Sequence, residues 1–200
     1  MTTTINLNKN DINAIDMSSM YQYIDWQKDN FKYFNLPAGE EHYRLLCKLS
    51  ELLPPGDIID IGTYFGFSAA ALSFNSKQNV ISYDIYDWLP DDQTTVKNIL
   101  NVQTKVMNCL NDIDLIKKAN LIVIDISHNG SDELEILNAL REAKYDGLVF
   151  LDDVGLNQEM KDLAESIPEK KIDVSCIGHW SSSLIVIMDP SKFDIILETI

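Results

Sequence analysis

Four short apolar, β-branched runs each carry an aspartate at or near the carboxyl end: Ile58-Ile59-Asp60-Ile61, Val80-Ile81-Ser82-Tyr83-Asp84, Leu121-Ile122-Val123-Ile124-Asp125 and Leu148-Val149-Phe150-Leu151-Asp152. Runs that are apolar at every position, rather than at alternate ones, belong to strands covered on both faces. Helix-length segments separate them, at about 67–75, 92–102, 131–143 and 157–167, and a weaker strand falls at Lys105-Val106-Met107. This alternation predicts an α/β fold with a Rossmann-like, doubly wound and mostly parallel sheet, helices on both faces. Two further strands, near 172–177 and 184–188, are joined by His179-Trp180-Ser181-Ser182-Ser183 with no room for a helix. They read as an antiparallel hairpin closing a seven-stranded sheet.

Upstream, Tyr43, Leu45, Leu46, Leu49, Leu52 and Leu53 recur at helical spacing over 39–53, and Pro54-Pro55-Gly56 stops that helix. Residues 1–16 are polar and Asn-rich and read as a loose arm. Residues 17–36 hold Tyr21, Tyr23, Trp26, Phe31, Tyr33 and Phe34. So much aromatic surface must cover something: the domain itself, a ligand as a lid, or a second copy in a homodimer. The expected organisation is therefore an arm and an aromatic helical segment over 1–36 and one domain over 37–200.

Charge narrows the function. Sixteen Lys and Arg against thirty-one Asp and Glu give a net charge of −15. Such a field repels phosphate backbones and anionic lipid, which argues against nucleic acid and membrane surfaces and leaves small molecules as partners. Cys47, Cys109 and Cys176 are widely spaced with no CxxC pair, so reduced thiols are expected rather than a disulfide framework or zinc ribbon. The first residues have neither a basic nor an apolar leader region and no segment is long enough to span a membrane, so the expected location is cytoplasmic.

In a doubly wound sheet, ligands sit outside the carboxyl ends of the strands where strand order reverses. The first strand there runs into Asp60-Ile61-Gly62-Thr63-Tyr64-Phe65-Gly66-Phe67-Ser68. Glycines at 62 and 66 allow a tight turn close to a ligand. A dinucleotide GxGxxG beginning at Gly62 fails, because Tyr64 and Phe67 occupy the other glycine places, and no Gly-Lys-Ser/Thr phosphate loop is present. An acid at the loop's start, Asp60, suits a cationic ligand better than a pyrophosphate. Asp84 ends the next strand, where an acid can accept both hydroxyls of a ribose. Asp125 closes the fourth strand and Asp152-Asp153 the fifth. If those strands are neighbours, about 4.8 Å apart, three carboxylates meet. Like charges so close need a cation, and hard oxygen donors favour Mg²⁺ or a similar ion. A solvated Asp152-Asp153 loop, with Asp153 capping a helix, is the other reading of that pair.

Loop and strand-end acids together resemble the class I S-adenosylmethionine-dependent methyltransferases. Within them, Asp60-x-Gly62-Thr63-Tyr64-x-Gly66-x-Ser68 is similar to the acid-x-Gly-Ala-Tyr-x-Gly-Tyr-Ser loop of metal-dependent O-methyltransferases of the catechol type. The resemblance spans about 37–188. It implies that Asp60, Gly62, Thr63, Tyr64, Gly66 and Ser68 bind the methionine end of S-adenosylmethionine and that Asp84 holds its ribose. Asn111 and Asp112 would lie near adenine, and Asp125 would touch both donor and metal. It also implies that Asp125, Asp152 and Asp153 bind Mg²⁺; Asp153 replaces the Asn of the catechol enzymes, as in sugar-modifying relatives. His128 falls where relatives carry Asp-Gly-x-His, although Ile126 replaces their small residue; it would take the proton from an attacking hydroxyl beside Asp125. The expected acceptor is a small hydroxylated molecule, a sugar or a phenol. His179 and Trp180 read as core or dimer contacts with a lesser substrate role, and His42 as a surface residue. A metal-independent methyltransferase, a dehydrogenase of the same sheet type, and a non-catalytic binding or assembly module remain open.

Overall fold

The computed structural model describes residues 2–27, 31–74 and 77–198. Phe31 opens a described turn, but its side chain, expected to belong to the aromatic cover, lies outside the described residues. Along the chain come β1 (Thr3–Asn8), α1 (Lys9–Asn13), α2 (Tyr43–Leu52), β2 (Gly56–Ile61), α3 (Phe67–Ser73), β3 (Gln78–Asp84) and β4 (Val102–Val106). They are followed by α4 (Ile113–Ile116), β5 (Leu121–Ile124), α5 (Ser131–Glu142), β6 (Leu148–Leu151), α6 (Gln158–Ser166), β7 (Lys170–Asp173), β8 (Leu184–Ile187) and β9 (Phe193–Glu198).

Seven strands form one sheet in the order β4-β3-β2-β5-β6-β8-β7. All neighbouring pairs are parallel except those of β8, which runs antiparallel to both β6 and β7. The antiparallel strand is thus one place in from the edge, and β7 closes the sheet, rather than the last strand lying outermost. Every residue of β5, β6 and β8 is buried. Alternate residues serve opposite faces. Leu121, Val123, Leu148 and Phe150 pack with α2 and α3, whereas Ile122, Ile124, Val149 and Leu151 pack with α5 and α6. At about 1.5–3 kcal/mol for each fully buried aliphatic side chain, these two faces fix which strands lie in the middle.

Three local expectations fail, for identifiable reasons. The polar first residues are no loose arm: β1 pairs in parallel with β9 as a separate two-stranded sheet. Its alternation puts Ile5 and Leu7 into the core while threonine and asparagine face outward. Residues 92–102 are not a helix but one 3-10 turn, Val96–Asn98. Thr95 and Asn98 cap that turn reciprocally, and such side chain–backbone bonds compete with helix extension. The aromatic segment forms two 3-10 turns, Ser18–Tyr23 and Phe31–Asn35, rather than a continuous helix. Met17, Met20, Ile24 and Phe34 are buried from it into the same cluster as α2 and α3. All three cysteines are free thiols, but only Cys47 and Cys109 are buried; Cys176 is exposed. Among the described residues no helix is long and apolar enough to cross a membrane.

Candidate active site

Strand order reverses between β2 and β5, and the cleft opens at their carboxyl ends. Gly62 has φ +108°, and a Cβ there would stand 1.8 Å from the carbonyl oxygen of Asp125, so only glycine lets the β2 turn pass the end of β5. Gly66 (φ +85°) leads into α3 with Val96 against it. Between them Tyr64 sits at φ +40°, its N–H donating to Asp84 Oδ2 at 2.9 Å. The Tyr86 N–H donates to Asp84 Oδ1 at 3.0 Å. These two bonds aim the strand-end carboxylate, and each of its oxygens keeps a second lone pair for a ligand hydroxyl.

The cleft has a volume of about 670 Å³ and is lined by Gly62, Tyr64, Asp84, Asp125 and His128 of the expected residues. Tyr86, Trp88, Met107 and Leu110, which no motif marked, give it an apolar rim. Asp60, Thr63 and Ser68 lie buried behind the loop. Thr63 Oγ1 and Ser82 Oγ are 2.6 Å apart, and Ser82 Oγ donates to Asp60 Oδ2 at 2.6 Å. Burial pushes the Asp60 carboxyl up to about 7, against the pull of the Ser82 and Ser68 hydroxyls. These residues therefore shape the loop from beneath instead of facing the cleft. Asn111 and Asp112 also miss it: Asp112 accepts from Tyr83 Oη (3.0 Å) and Lys105 Nζ (2.5 Å), and Asn108, Cys109 and Leu110 line the wall at that place.

The strand-end acids do converge. β5 and β6 are parallel neighbours with Ile124 opposite Leu151, so Asp125 and Asp152 leave the sheet side by side. Sequence reasoning set His128 beside Asp125 but missed that His42 and His179 also join the acids. All three histidines of the chain gather here, and each pair of aspartates shares a close group with one: Asp125 and Asp152 with His42, Asp125 and Asp153 with His128, Asp152 and Asp153 with His179. His128 Nε2 is 2.9 Å from Asp125 Oδ1 and 3.2 Å from Asp153 Oδ2. His179 Nδ1 is 2.8 Å from Asp153 Oδ1 and 3.5 Å from Asp152 Oδ2. His42, expected on the surface, is only 2% exposed, with Nδ1 3.1 Å from Asp152 Oδ2 and 2.9 Å from Glu41 Oε1. A histidine opening a leucine-rich helix looks like surface in sequence; its burial depends on Asp152, more than a hundred residues away.

Electrostatics follow from this interleaving. The hydrogen bond to Asp125 raises the His128 imidazole to about 9. Burial raises the Asp125 carboxyl, while His128 pulls it back. Burial also works to raise Asp153, yet His179 and Ser181 hold it below the usual carboxylate range. Burial alone would depress His42, but Asp152 and then Glu41 lift it well above an ordinary imidazole. Geometry is stored as well. Tyr64 (+40°), His128 (+54°), Asp153 (+56°) and Ser182 (+75°) are four of the five non-glycine residues at positive φ among those described. Each such backbone costs on the order of 1–3 kcal/mol, so surrounding bonds must enforce it. For His128 they are visible: its N–H donates to Glu133 Oε1 (2.8 Å) and its carbonyl accepts from Asn157 Nδ2 (2.7 Å).

Carboxylate oxygens suit a divalent cation by chemistry, but here they meet in pairs: among the described residues no one close group holds Asp125, Asp152 and Asp153 together. Asp125 and Asp153 offer carboxylate oxygens within one close group at the cleft side. Asp152 is 2% exposed, with Oδ1 accepting from Ser183 Oγ at 2.8 Å and Oδ2 facing His42 and His179. On the far side of the cluster lies a second cavity of about 500 Å³, lined by Tyr33, Leu36, Glu40, Glu41, Tyr43, His179 and Trp180. Trp180, expected as core or dimer contact, is 71% exposed on its rim. Trp26 packs edge-on against Phe65 of the glycine loop, centroids 5.3 Å apart, tying the aromatic segment to the cleft.

No family model and no curated protein matches this chain. Solved structures do. A Staphylococcus aureus protein described provisionally as a caffeoyl-CoA O-methyltransferase is similar at 16% identity and TM-score 0.56, covering 72% of this chain and 81% of that one. A cofactor-bound protein from MTB gives 16% identity and TM-score 0.54 over 74% and 79%. The S-adenosylhomocysteine-bound methyltransferase PaMTH1 of Podospora anserina gives 13% and 0.53 over 72% and 76%. At these identities the likeness concerns backbone, and it agrees with the strand order and the single antiparallel strand. This chain has the Rossmann-like fold of the class I S-adenosylmethionine-dependent methyltransferases.

Proposed function

We propose that the protein is an S-adenosylmethionine-dependent methyltransferase that transfers the methyl group to a hydroxyl of a small molecule, a sugar or a phenol, with Mg²⁺ or a similar ion. The observation behind this reading is the run cleft, acid–histidine cluster, second cavity. Asp125 and His128 face the first, His179 and Glu41 face the last, and Asp153 touches both imidazoles.

In this reading the donor lies in the larger cleft. Asp84 accepts the two ribose hydroxyls on its remaining lone pairs, and the apolar rim of Ile85, Tyr86, Trp88 and Met107 covers the purine. The exposed ring of Tyr64 faces the sulfonium with a cation–π attraction of about 1 kcal/mol. The donor is intrinsically reactive, so the protein's task is to align an acceptor oxygen behind the methyl group and remove its proton. His128, beside Asp125, takes that proton in this reading; at about 9 its ring is protonated at neutral pH and must first lose its own. Asp125, Asp152 and Asp153 would hold the divalent ion, whose charge lowers the pKa of an acceptor hydroxyl and the proton affinity of the neighbouring imidazoles. The second cavity then receives the acceptor, with Tyr33, Tyr43 and Trp180 as its aromatic walls.

The test is transfer of labelled methyl from S-adenosylmethionine to a panel of catechols and free sugars, with Mg²⁺ or EDTA. Incorporation that Asp125→Asn abolishes and EDTA suppresses supports the reading. No incorporation into any hydroxylated acceptor, alongside transfer to an amine or thiol, refutes O-methylation.

A further inference from the structure

From the lining of the smaller cavity we infer the charge class of the acceptor: a hydroxylated molecule that also carries an ammonium group, held by Glu40 beside the rings of Tyr33 and Trp180. The inference rests on the methyl-transfer reading only in calling this molecule the acceptor; the binding it describes stands apart from catalysis.

The charges of the lining lead to it. Two carboxylates, Glu40 and Glu41, one imidazole, His179, three aromatic rings and Leu36 surround the cavity. Among the described residues no lysine or arginine lines either this cavity or the larger cleft. An acceptor bearing a carboxylate or phosphate would meet like charge here, with no ammonium or guanidinium to offset it. His179 does not take that role, since its Nδ1 already faces Asp153 Oδ1 at 2.8 Å and Asp152 Oδ2 at 3.5 Å. Glu41 is engaged as well: its Oε1 stands 2.9 Å from His42 Nδ1 and accepts from the His42 backbone N–H at 3.0 Å. Glu40 is different. It is exposed, and its side chain makes no hydrogen bond or ion pair among the described residues.

A lone surface carboxylate would say nothing by itself. The rings that share its cavity supply the second observation, for Trp180 is 71% exposed and Tyr33 40%. Open indole and phenol faces attract an ammonium through the ring quadrupole. Tyr33 already does so: Lys32 Nζ stands 5.2 Å over its ring centre, although Lys32 is no part of the lining. Trp180 packs edge-on against His179, with centroids 5.4 Å apart, so the bond from His179 to Asp153 steadies that wall. An ammonium seated against Glu40 and these rings leaves the rest of the acceptor to reach His179 and Tyr43. Those two line the side next to the acid–histidine cluster, the Tyr43 ring lying 4.5 Å from that of His42.

The experiment offers the full chain two charge series at pH 6.5: dopamine, 4-methylcatechol and 3,4-dihydroxyphenylacetate, then glucosamine, glucose and glucuronate. Binding is read without donor or metal, as the shift of the Trp180 indole N–H in proton NMR, assigned among the three tryptophans by Trp180→Phe. An exposed ion pair and a cation–π contact are each worth about two- to fivefold, so in at least one series the ammonium member should bind about tenfold more tightly than the neutral one. Glu40→Gln should remove about threefold of that preference, and high salt should do the same. Transfer of labelled methyl to the same compounds should follow the same order. No binding by either ammonium compound, equal affinity for charged and neutral members in both series, tighter binding of the anions, or a preference that Glu40→Gln leaves unchanged would overturn the inference. Methyl transfer that ignores the acceptor's charge overturns it too, while O-methylation stands. Charge-ordered binding with no transfer to any acceptor supports the ammonium site and counts against the methyl-transfer reading instead.

Discussion

Replacing Asp125 by Asn should release the proton that its carboxylate holds on His128. The imidazole stands at about 9 against an ordinary 6.5, chiefly through the 2.9 Å bond to Asp125 Oδ1. A shift of that size corresponds to about 3 kcal/mol of preference for the charged ring, at 1.36 kcal/mol per pKa unit. The side chains remain 24% and 27% exposed and Asp125 is itself raised by burial, so about 2 kcal/mol is the figure to expect in stability. The sign follows from linkage. The folded state binds this proton more tightly than the unfolded one, so the contribution is complete below about 6.5 and fades as pH rises through about 9. The chain's three histidines all lie in the cluster, so proton NMR of their ring C–H signals reads it without crowding. In the metal-free protein one signal, assigned by His128→Gln, should titrate near 9 and move toward 7 in Asp125→Asn. Urea unfolding should show the variant's deficit at pH 6 and its disappearance by pH 10. A His128 signal already titrating at 6.5 in the parent chain would refute the pairing.

Other outcomes follow from the loop and strand ends. Gly62→Ala places a methyl group against the Asp125 carbonyl in a backbone region few side chains adopt; it should cost about 3–5 kcal/mol, measured as a lowered urea midpoint. Asp60→Asn removes a carboxylate whose charge is costly to bury. Since the folded Asp60 stands at about 7, the parent should lose stability relative to this variant as pH rises from 4 to 7, by up to about 4 kcal/mol. An equal pH slope in both chains would show that Asp60 is not held that way.

Much of this architecture is legible in the chain itself. Runs such as Leu121-Ile122-Val123-Ile124 have one physical use, a strand hidden on both faces, and a strand so placed delivers Asp125 to a predictable rim. Residues whose environment comes from afar were not legible. His42 reads as surface until α2 docks on β6 and brings Asp152 to it, and Tyr86 and Trp88 follow Asp84 without any motif. Thr3–Asn8 looked disordered because its polar residues alternate with only two core positions, and its partner β9 lies at the other end of the chain. At 92–102 the helix-length gap between two strand runs suggested a helix, but Thr95 and Asn98 bond the backbone locally and end it after one turn.

Isothermal titration of S-adenosylhomocysteine addresses the account most directly, because cleft, loop and Asp84 all meet in that ligand. Saturable one-to-one binding is expected, weakened by about ten- to a hundredfold in Asp84→Ala, which removes two hydrogen bonds to a charged group worth about 1.5–3 kcal/mol each before solvent compensates. No binding heat at any temperature tested, or binding that Asp84→Ala leaves untouched, would contradict it.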